Sequence, residues 1–220
     1  MLAEQKMLSV FGSINLDVSV RCAQLPAAGE TVLGSAALLS PGGKGANQAH
    51  AAQRFGVPTR LFGAVGVDGF AMPALASLRD AGVGLGGVAE LAHEATGLAM
   101  ITVGEDGDNS IVVAPGANAL ARAAQVSDAV LRASRVLLLQ LEVPAEESFA
   151  LARRARAAGC RVVLNASPLA PSLEIDAASL DLVIVNMLEL EQLCLQRGVS
   201  RSDAAQRALA LASHCRSTCW

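Results

Sequence analysis

The sequence predicts an α/β fold, with a doubly wound, mostly parallel sheet covered by helices on both faces and accompanied by a small second sheet. Two observations carry this prediction. Apolar runs of strand length alternate with segments of helix length, an order typical of βαβ units. Hydrophobic residues make up 52% of the 220 residues and charged residues 17%, which supplies a core for one large domain.

In the first half of the chain, strand and helix signals alternate. Residues 8–14 are an apolar run of strand length, and an alanine-rich segment over 46–55 is stopped by Gly56, Val57 and Pro58. A turn over 105–109 separates two strand-like runs, which predicts a hairpin. The predicted elements are strands 8–14, 30–40 and 59–65, helices 46–55 and 71–81, and hairpin strands 98–103 and 110–113.

The second half alternates more regularly. Gly159 ends one helical segment, and Ser202 or Asp203 can cap the last one. After that helix a doubly wound sheet needs another apolar strand, but residues 213–220 predict none. The predicted elements are helices 124–133, 145–158, 188–196 and 202–212, and strands 136–141, 160–165 and 180–186.

Charge and hydropathy argue against two classes of protein. The formal net charge of −3 leaves no basic excess to neutralise phosphates, so we expect no nucleic-acid partner. Mean hydropathy is +0.43, but no apolar run reaches the roughly 18 residues of a membrane-spanning helix. The N-terminus, with Glu4 and Lys6, does not resemble a secretory signal. We therefore expect a cytoplasmic protein with no membrane partner.

The strongest local signal is the run 42–49, in which glycines surround a lysine and lead directly into a predicted helix. Glycine lets the backbone approach a ligand closely, and a helix N-terminus presents unpaired N–H groups. Lys44 and Asn47 add side-chain donors. The spacing is not that of a Walker A loop. A ligand-binding loop and a plain tight turn before the helix both fit this run.

Polar residues also follow three predicted strands, at the edge where α/β sheets bind ligands. Asn15 and Asp17 lie two residues apart, so extended backbone directs both to one face, and an amide beside a carboxylate suits a polyhydroxylated ligand. Glu142 follows another strand, and Asn186 and Glu189 follow a third. Turn residues, a helix-start charge or a solvated face explain the same residues equally well.

Two further patterns are weak. Residues 82–87 contain Gly-x-Gly-x-x-Gly, the only support for a nicotinamide dehydrogenase, but a dinucleotide loop follows a strand and here a helix precedes. The three histidines are widely separated, and the five cysteines form no Cys-x-x-Cys pair. We therefore assign neither a catalytic histidine nor a zinc site.

Together these segments resemble the ribokinase family, the PfkB-type carbohydrate kinases, from about Leu8 to Ala212. The resemblance implies a ribokinase-like domain over 1–212, with strands of a lid near 16–40 and 98–113, and a non-family tail over 213–220. Ala71 stands where a glycine is common in the family. The matching segments are 12–17, Pro26 with 29–32, 42–49, 65–66 with Asp68, 96–97, 115–118, 140–142 and 186–189.

The resemblance implies a reaction and roles for individual residues. The γ-phosphoryl group of ATP would pass to a sugar hydroxymethyl, with O5 of D-ribose as the expected acceptor and fructose, 2-keto-3-deoxygluconate and nucleosides as alternatives. Asn186 would lie near the ATP phosphates, and Glu189 would organise Mg²⁺ through water. The residues implied to hold the sugar are Asn15, Asp17, Gly43, Lys44, Gly45, Ala46, Asn47 and Glu142.

The second signature of the family, Gly-Ala-Gly-Asp, which carries its catalytic aspartate, does not occur in this sequence. We therefore expect a C-terminally truncated member that lacks the catalytic base and is inactive as this chain. The full-length family binds K⁺, and its site is expected to be missing here. A non-catalytic sugar-binding protein is the second hypothesis. By the same resemblance the lid would pair two chains into a homodimer.

Overall fold

Strands and helices alternate through most of the chain. The structure, a computed structural model, describes residues 7–199, residue 206 and the backbone of residues 218–219. The strands are β1 (Met7–Phe11), β2 (Asn15–Cys22), β3 (Leu38–Gly42), β4 (Thr59–Gly66), β5 (Gly84–Leu91), β6 (Gly97–Gly104), β7 (Asn109–Ala114), β8 (Ser134–Leu139), β9 (Arg161–Asn165), β10 (Leu182–Ile184) and β11 (Thr218–Cys219). The helices are α1 (Lys44–Arg54), α2 (Ala71–Ala81), α3 (Asp128–Ala133), α4 (Ala145–Ala157) and α5 (Met187–Gln196).

Seven parallel strands form the main sheet, in the order β11-β10-β9-β8-β1-β4-β5. Because successive side chains of a strand point to opposite faces, the core divides into two layers. Val10 and Leu61 pack with α1 and α2, whereas Phe11 and Phe62 pack with α3 and α4. Helices thus cover both faces, which confirms the predicted doubly wound fold. None of the helices in the described ranges is long and apolar enough to cross a membrane.

The direction in which the main sheet grows reverses between β1 and β8. From β1 the chain adds β4 and β5 on one side, and it adds β8, β9 and β10 on the other. Loops that leave β1 and β8 at their carboxyl ends therefore diverge and leave a crevice, which is where open α/β sheets bind ligands. Residues 12–15 and 140–142 follow these two strands, so the fold places two of the predicted segments side by side.

Four strands form the second sheet, in the order β3-β2-β6-β7. It contains the predicted hairpin, as β6 and β7, and the strand β2 that carries Asn15 and Asp17. On the face opposite to Asp17, four apolar side chains, one from each strand, lie side by side in a row across the sheet. That row consists of Leu39, Val18, Met100 and Val112.

Most predicted elements are confirmed, and four differ for local reasons. The strand predicted over 8–14 ends at Phe11, because Ser13 beyond it bonds to Glu142 and to the start of α1. The helix predicted over 124–133 is shorter, because Ser127 Oγ accepts a hydrogen bond from the Val130 N–H at 3.3 Å and caps α3 there. The strand predicted over 30–40 is wrong for most of its length: residues 38–40 pair with β2, but before them a single bridge joins Gly34 to Cys22, so residues 30–37 have no continuous strand partner. The strand predicted over 180–186 narrows to β10, because Asn186 takes the cap position of α5.

The end of the chain also differs from the prediction. Residues 213–220 predict no strand, yet Thr218–Cys219 pairs in parallel with β10 as β11. The paired backbone supplies partners for N–H and C=O groups of β10. The helix predicted over 202–212 lies outside the described residues, apart from residue 206.

Asp68 joins the main sheet to the second sheet. Its carboxylate accepts hydrogen bonds from the N–H and Oγ1 of Thr96, at 2.7 and 2.8 Å, just before β6. It also accepts bonds from the N–H groups of Phe70 and Ala71, at 3.0 and 3.1 Å, where α2 begins. Burial disfavours the charged form, but these hydrogen bonds outweigh it and lower the pKa of Asp68.

We expect Asp68→Ala to lower the free energy of unfolding by about 1–2 kcal/mol, the usual cost of a lost helix cap. Because the folded-state pKa is lowered, this contribution is complete above the ordinary aspartate pKa of 3.8 and is lost as pH falls through the folded value. Denaturant unfolding of both proteins at neutral pH and at about pH 3 measures the difference. The control is Asp80→Ala, an exposed residue near the other end of α2. An equal loss in both variants would contradict the role of Asp68.

Candidate functional site

One carboxylate oxygen holds the loops after β1 and β8 against the start of α1. Glu142 Oε2 accepts a 2.6 Å hydrogen bond from Ser13 Oγ and a 2.9 Å bond from the Lys44 N–H. Ser13 also accepts from α1: its Oγ from the Gly45 N–H at 3.3 Å, and its carbonyl oxygen from the Ala46 N–H at 2.9 Å. Residues that are far apart in the sequence therefore meet at the crevice between β1 and β8.

The N-terminus of α1 is thus occupied by the protein itself. The expectation of unpaired N–H groups there is wrong for Lys44, Gly45 and Ala46, because Glu142 and Ser13 accept all three hydrogen bonds. What remains available is the Lys44 ammonium group, which has no hydrogen bond or ion pair to the described residues. The Asn47 side chain is likewise exposed and makes none.

Two glycines are required where β3 turns into α1. Gly43 has φ +90°, and a Cβ built on it would lie 2.8–3.0 Å from Ser13 O, Asn15 N and Ile14 Cα. A Cβ on Gly42 would fall on the carboxylate of Asp17. The glycine run therefore serves close backbone packing around Asp17, in addition to the turn that the sequence predicts.

Asn15 and Asp17 lie on one face of β2, as their spacing predicts. Asp17 accepts no hydrogen bond from the described residues, and Glu142 Oε1 accepts none either. Burial, and then the nearby charge of Glu142, raise the pKa of Asp17 above its ordinary value. The register neighbours of Asn15 and Asp17 on β3 and β6 are small residues: Gly42, Ser40, Gly97 and Ala99.

Three buried residues of the site carry no local sequence signal for their roles. Ser13 links Glu142 to α1, as described above. Asn118 bonds to Ile14 and Asn15 across more than 100 residues of chain. Gln140 donates from Nε2 to Gln48 Oε1 at 2.7 Å, while its own Oε1 is buried without a partner beneath Gly12. All three lie in segments that resemble the family, but only the tertiary contacts identify these roles, because each partner comes from a distant element.

Asn186 and Glu189 lie at the carboxyl end of β10, three strand spacings from β1, or about 14 Å. They form a capping box: the Glu189 N–H donates to Asn186 Oδ1 at 2.9 Å, and the Asn186 N–H donates to Glu189 Oε2 at 2.8 Å. The other oxygen of Glu189, Oε1, makes no hydrogen bond to the described residues. It is not fully buried either, so it is accessible to solvent.

Two other sequence patterns do not form sites. Residues 82–87 run from the end of α2 into the edge strand β5, so the Gly-x-Gly-x-x-Gly run is no dinucleotide loop. Within the part of the chain that the structure describes, no group of three or more His, Cys, Asp or Glu residues is placed to hold a metal ion. A cavity of about 400 Å³ lies beside Glu142, walled by Val113 of the second sheet and Pro144.

Comparison with known proteins identifies the family. The sequence pattern of the pfkB family carbohydrate kinases matches residues 5–219, and the chain belongs to that family. It is 37% identical over 166 residues to the ribokinase of Bacillus subtilis, and 35% identical over 190 residues to that of Haemophilus influenzae. These matches cover 74% and 85% of this chain, but 56% and 62% of the relatives.

A solved structure agrees with this assignment. Arabidopsis thaliana ribokinase complexed with ribose and ATP superposes with a TM-score of 0.79 at 30% identity, over 94% of this chain and 68% of that chain. The chain therefore spans little more than half the length of the curated relatives that it matches, and about two thirds of this solved structure.

We expect Gly43→Ala to destabilise the chain by more than the roughly 1–3 kcal/mol of a strained backbone conformation, because its Cβ also collides with backbone atoms. Gly56→Ala is the matched control: φ is +81°, but nothing lies within 4 Å of the added Cβ. Denaturant unfolding of the two variants separates crowding from backbone strain. Equal losses would contradict the close packing of Gly43 against residues 13–15.

Proposed function

We propose that this chain is the sugar-binding portion of an ATP-dependent kinase of the ribokinase type, which phosphorylates the 5-hydroxyl of D-ribose. One observation carries the proposal: Asp17 and Glu142 bring carboxylate oxygens without protein donors to the crevice between β1 and β8. Hydroxyl groups of a sugar are the natural donors to such oxygens. The similarity to ribokinases supports ribose as the sugar.

The remaining sugar-binding residues in this proposal supply donors and space. The Lys44 ammonium group and the amides of Asn15 and Asn47 donate to hydroxyl oxygens. Gly43, Gly45 and Ala46 contribute the backbone at the start of α1, which would border the bound sugar. Small register neighbours of Asp17 leave room for it.

ATP and Mg²⁺ would lie along the carboxyl edge of the sheet towards β10. Asn186 is exposed there. Oε1 of Glu189, which is accessible to solvent, can accept a hydrogen bond from a metal-bound water. A single carboxylate fits Mg²⁺, which keeps several waters and is held mainly by phosphate oxygens. When bound, the metal neutralises charge on the transferring phosphoryl group. The protein's own part here is to hold Glu189 still through the capping box.

The transfer itself needs a base that this chain does not provide in our proposal. The sugar O5 attacks the γ-phosphorus, the bond from that phosphorus to ADP breaks, and the O5 proton passes to a base. Gly-Ala-Gly-Asp is absent from residues 1–220, which supports binding without turnover. A K⁺ requirement of the whole enzyme and a cytoplasmic location remain predictions from the resemblance and the composition.

The acceptor is the least constrained part of the proposal, and fructose, 2-keto-3-deoxygluconate and nucleosides are the alternatives. Ile111 lies on the Asp17 face of the second sheet, one row further from the core. A larger acceptor would contact it. A non-catalytic sugar-binding protein is the second candidate function, and the same free carboxylates favour it.

Calorimetric titration of the chain with D-ribose, D-fructose, 2-keto-3-deoxygluconate and adenosine tests the proposed site. A coupled assay of ADP release with Mg-ATP and K⁺ tests turnover, with a full-length ribokinase as the positive control. We expect D-ribose to bind most tightly and ADP release to stay at background. If none of the four compounds binds, the proposed sugar site is wrong. Tighter binding of another compound would replace D-ribose as the acceptor. ADP release above background would contradict the proposal that this chain lacks the catalytic base.

Asp17→Asn is expected to abolish measurable sugar binding but to raise stability at neutral pH. The folded-state pKa of Asp17 is raised, so ionised Asp17 opposes folding and protonation relieves this as pH falls. In the unmodified chain, sugar affinity should be lower at mildly acidic pH than at neutral pH, because the raised pKa lets this carboxylate gain its proton above its ordinary value of 3.8. Calorimetry at both pH values and thermal unfolding measure the two effects. Asp108→Asn, at an exposed turn of the second sheet, should change neither.

The second sheet is our proposed dimer contact. In the apolar row opposite Asp17, Leu39 and Met100 are each 59% exposed and Val112 is 65% exposed. A patch of this kind is typical of an interaction surface. We expect the chain to sediment as a dimer and Met100→Glu to sediment as a monomer. A monomeric unmodified chain would contradict the contact.

A further inference from the structure

The side chain of Asn118 has one orientation that its neighbours allow. Its Oδ1 accepts the Ile14 N–H at 2.9 Å, and its Nδ2 donates to the Ile14 carbonyl oxygen at 3.0 Å. A backbone N–H only donates and a carbonyl oxygen only accepts. Turning the amide over would set donor against donor and acceptor against acceptor. The backbone of Ile14 therefore dictates which way the amide of Asn118 points.

That orientation is passed on to Asn15. Asn118 Nδ2 lies 2.8 Å from Asn15 Oδ1 as a second hydrogen bond. Because a donor must face an acceptor, the oxygen of Asn15 points to Asn118 and its nitrogen points away. Asn15 Nδ2 donates a hydrogen bond to none of the described residues. Among those residues, the side-chain atoms that are fully buried without a partner are Gln140 Oε1 and Ser148 Oγ, so Asn15 Nδ2 is not a fully buried atom. Solvent therefore reaches the nitrogen of Asn15.

Packing keeps the two amides in place. Asn118 is 1% exposed and Asn15 is 3% exposed. Gly97 lies beside them, and a Cβ there would collide with both Asn118 Nδ2 and Asn15 Oδ1. Asn118 sits in a short 3₁₀ turn, Gly116–Leu120, which the Ala117 N–H ties to Ala95 at 2.8 Å. The pair is therefore rigid before any ligand arrives.

We infer that Asn118 is a positioning residue, which holds Asn15 as a pure hydrogen-bond donor beside the pure acceptor Asp17. A hydroxyl group both donates and accepts, so adjacent hydroxyls of one ligand satisfy the two residues at once. A ligand that lacks one of those hydroxyls leaves a buried group unpaired, which costs more than the bond itself. Asn118 thereby sets the preference of the site for a fully hydroxylated ligand. The identity of that ligand rests on the proposed sugar-binding function.

Asn118→Asp tests the inference with little change in size. A carboxylate still accepts the Ile14 N–H, but it no longer holds two N–H donors for Ile14 and Asn15. The matched control is Gln125→Glu, because Gln125 Nε2 likewise donates to two carbonyl oxygens, of Gly63 at 2.7 Å and Gly87 at 3.3 Å. Both variants lose a side-chain amide that donates two hydrogen bonds, but only the amide of Asn118 bonds to Asn15.

Calorimetry with D-ribose, 2-deoxy-D-ribose and 3-deoxy-D-ribose gives the functional result. We expect the unmodified chain to bind D-ribose more tightly than either deoxy sugar. We expect Asn118→Asp to bind D-ribose about tenfold more weakly, and to bind one of the two deoxy sugars as tightly as it binds D-ribose. Gln125→Glu should keep the preference, whatever its melting temperature. An Asn118→Asp protein with the original preference would overturn the inference.

Nuclear magnetic resonance of the unmodified chain without ligand decides the orientation on its own. We expect both side-chain amide protons of Asn118 to exchange slowly with solvent and those of Asn15 to exchange fast, with Asn15→Asp used to assign its signals. Slow exchange at Asn15, or fast exchange at Asn118, would overturn the inference even if Asn118→Asp does not fold. Failure of every sugar to bind would overturn the proposed function and leave this readout intact.

Discussion

The site depends on two hydrogen bonds to one oxygen, Oε2 of Glu142. Ser13 and the backbone of Lys44 both donate to it, so the loop after β1, the loop after β8 and the start of α1 become one unit. Hydrogen bonds to a charged acceptor are stronger than neutral ones, and this acceptor is half-buried. The cost is that one oxygen of Glu142 and the first N–H groups of α1 are used for structure.

What remains for a ligand is a set of groups with fixed polarity. Asp17 and the second oxygen of Glu142 only accept hydrogen bonds, whereas the Lys44 ammonium group only donates, and Asn118 restricts Asn15 to donation. Burial of Asp17, and then the nearby charge of Glu142, disfavour its ionised form in the folded chain and raise its pKa. Stability is thus given up at the oxygens that are free to bind, while the Asp68 carboxylate and Oε2 of Glu142, which accept hydrogen bonds from the protein, hold the loops in place.

The two sheets have different roles at the site. The main sheet provides a rigid carboxyl edge, with Glu142 near its centre after β8 and Asn186 two strands away after β10. The second sheet brings Asp17 over that edge on one face and presents an apolar row on the other. The Asp68 carboxylate connects them: it accepts two hydrogen bonds from Thr96, just before β6, and two more from the start of α2. In our proposal, sugar binding and dimer formation therefore use opposite faces of the same four strands.

The sequence by itself determined the features that local periodicity controls. The alternation of apolar runs and alanine-rich segments predicted the doubly wound fold and the bounds of α2, and the spacing of Asn15 and Asp17 predicted their shared face. The glycine run was recognisable because φ +90° at Gly43 admits almost no other residue. The predicted strand over 30–40 formed only from Leu38 onward, because the residues before it make one isolated bridge to β2 and no continuous pairing.

Only the tertiary structure decided how the site residues are used. The donors to Glu142 come from residues 98 and 129 positions away, and Asn118 reaches Ile14 across 104 positions. No pattern in a local stretch of sequence contains such pairings, because they depend on which strands become neighbours in the sheet. The sequence therefore named Asp17, Glu142 and Asn15 as candidates, while the reversal of the sheet between β1 and β8 determined which of their atoms stay free for a ligand.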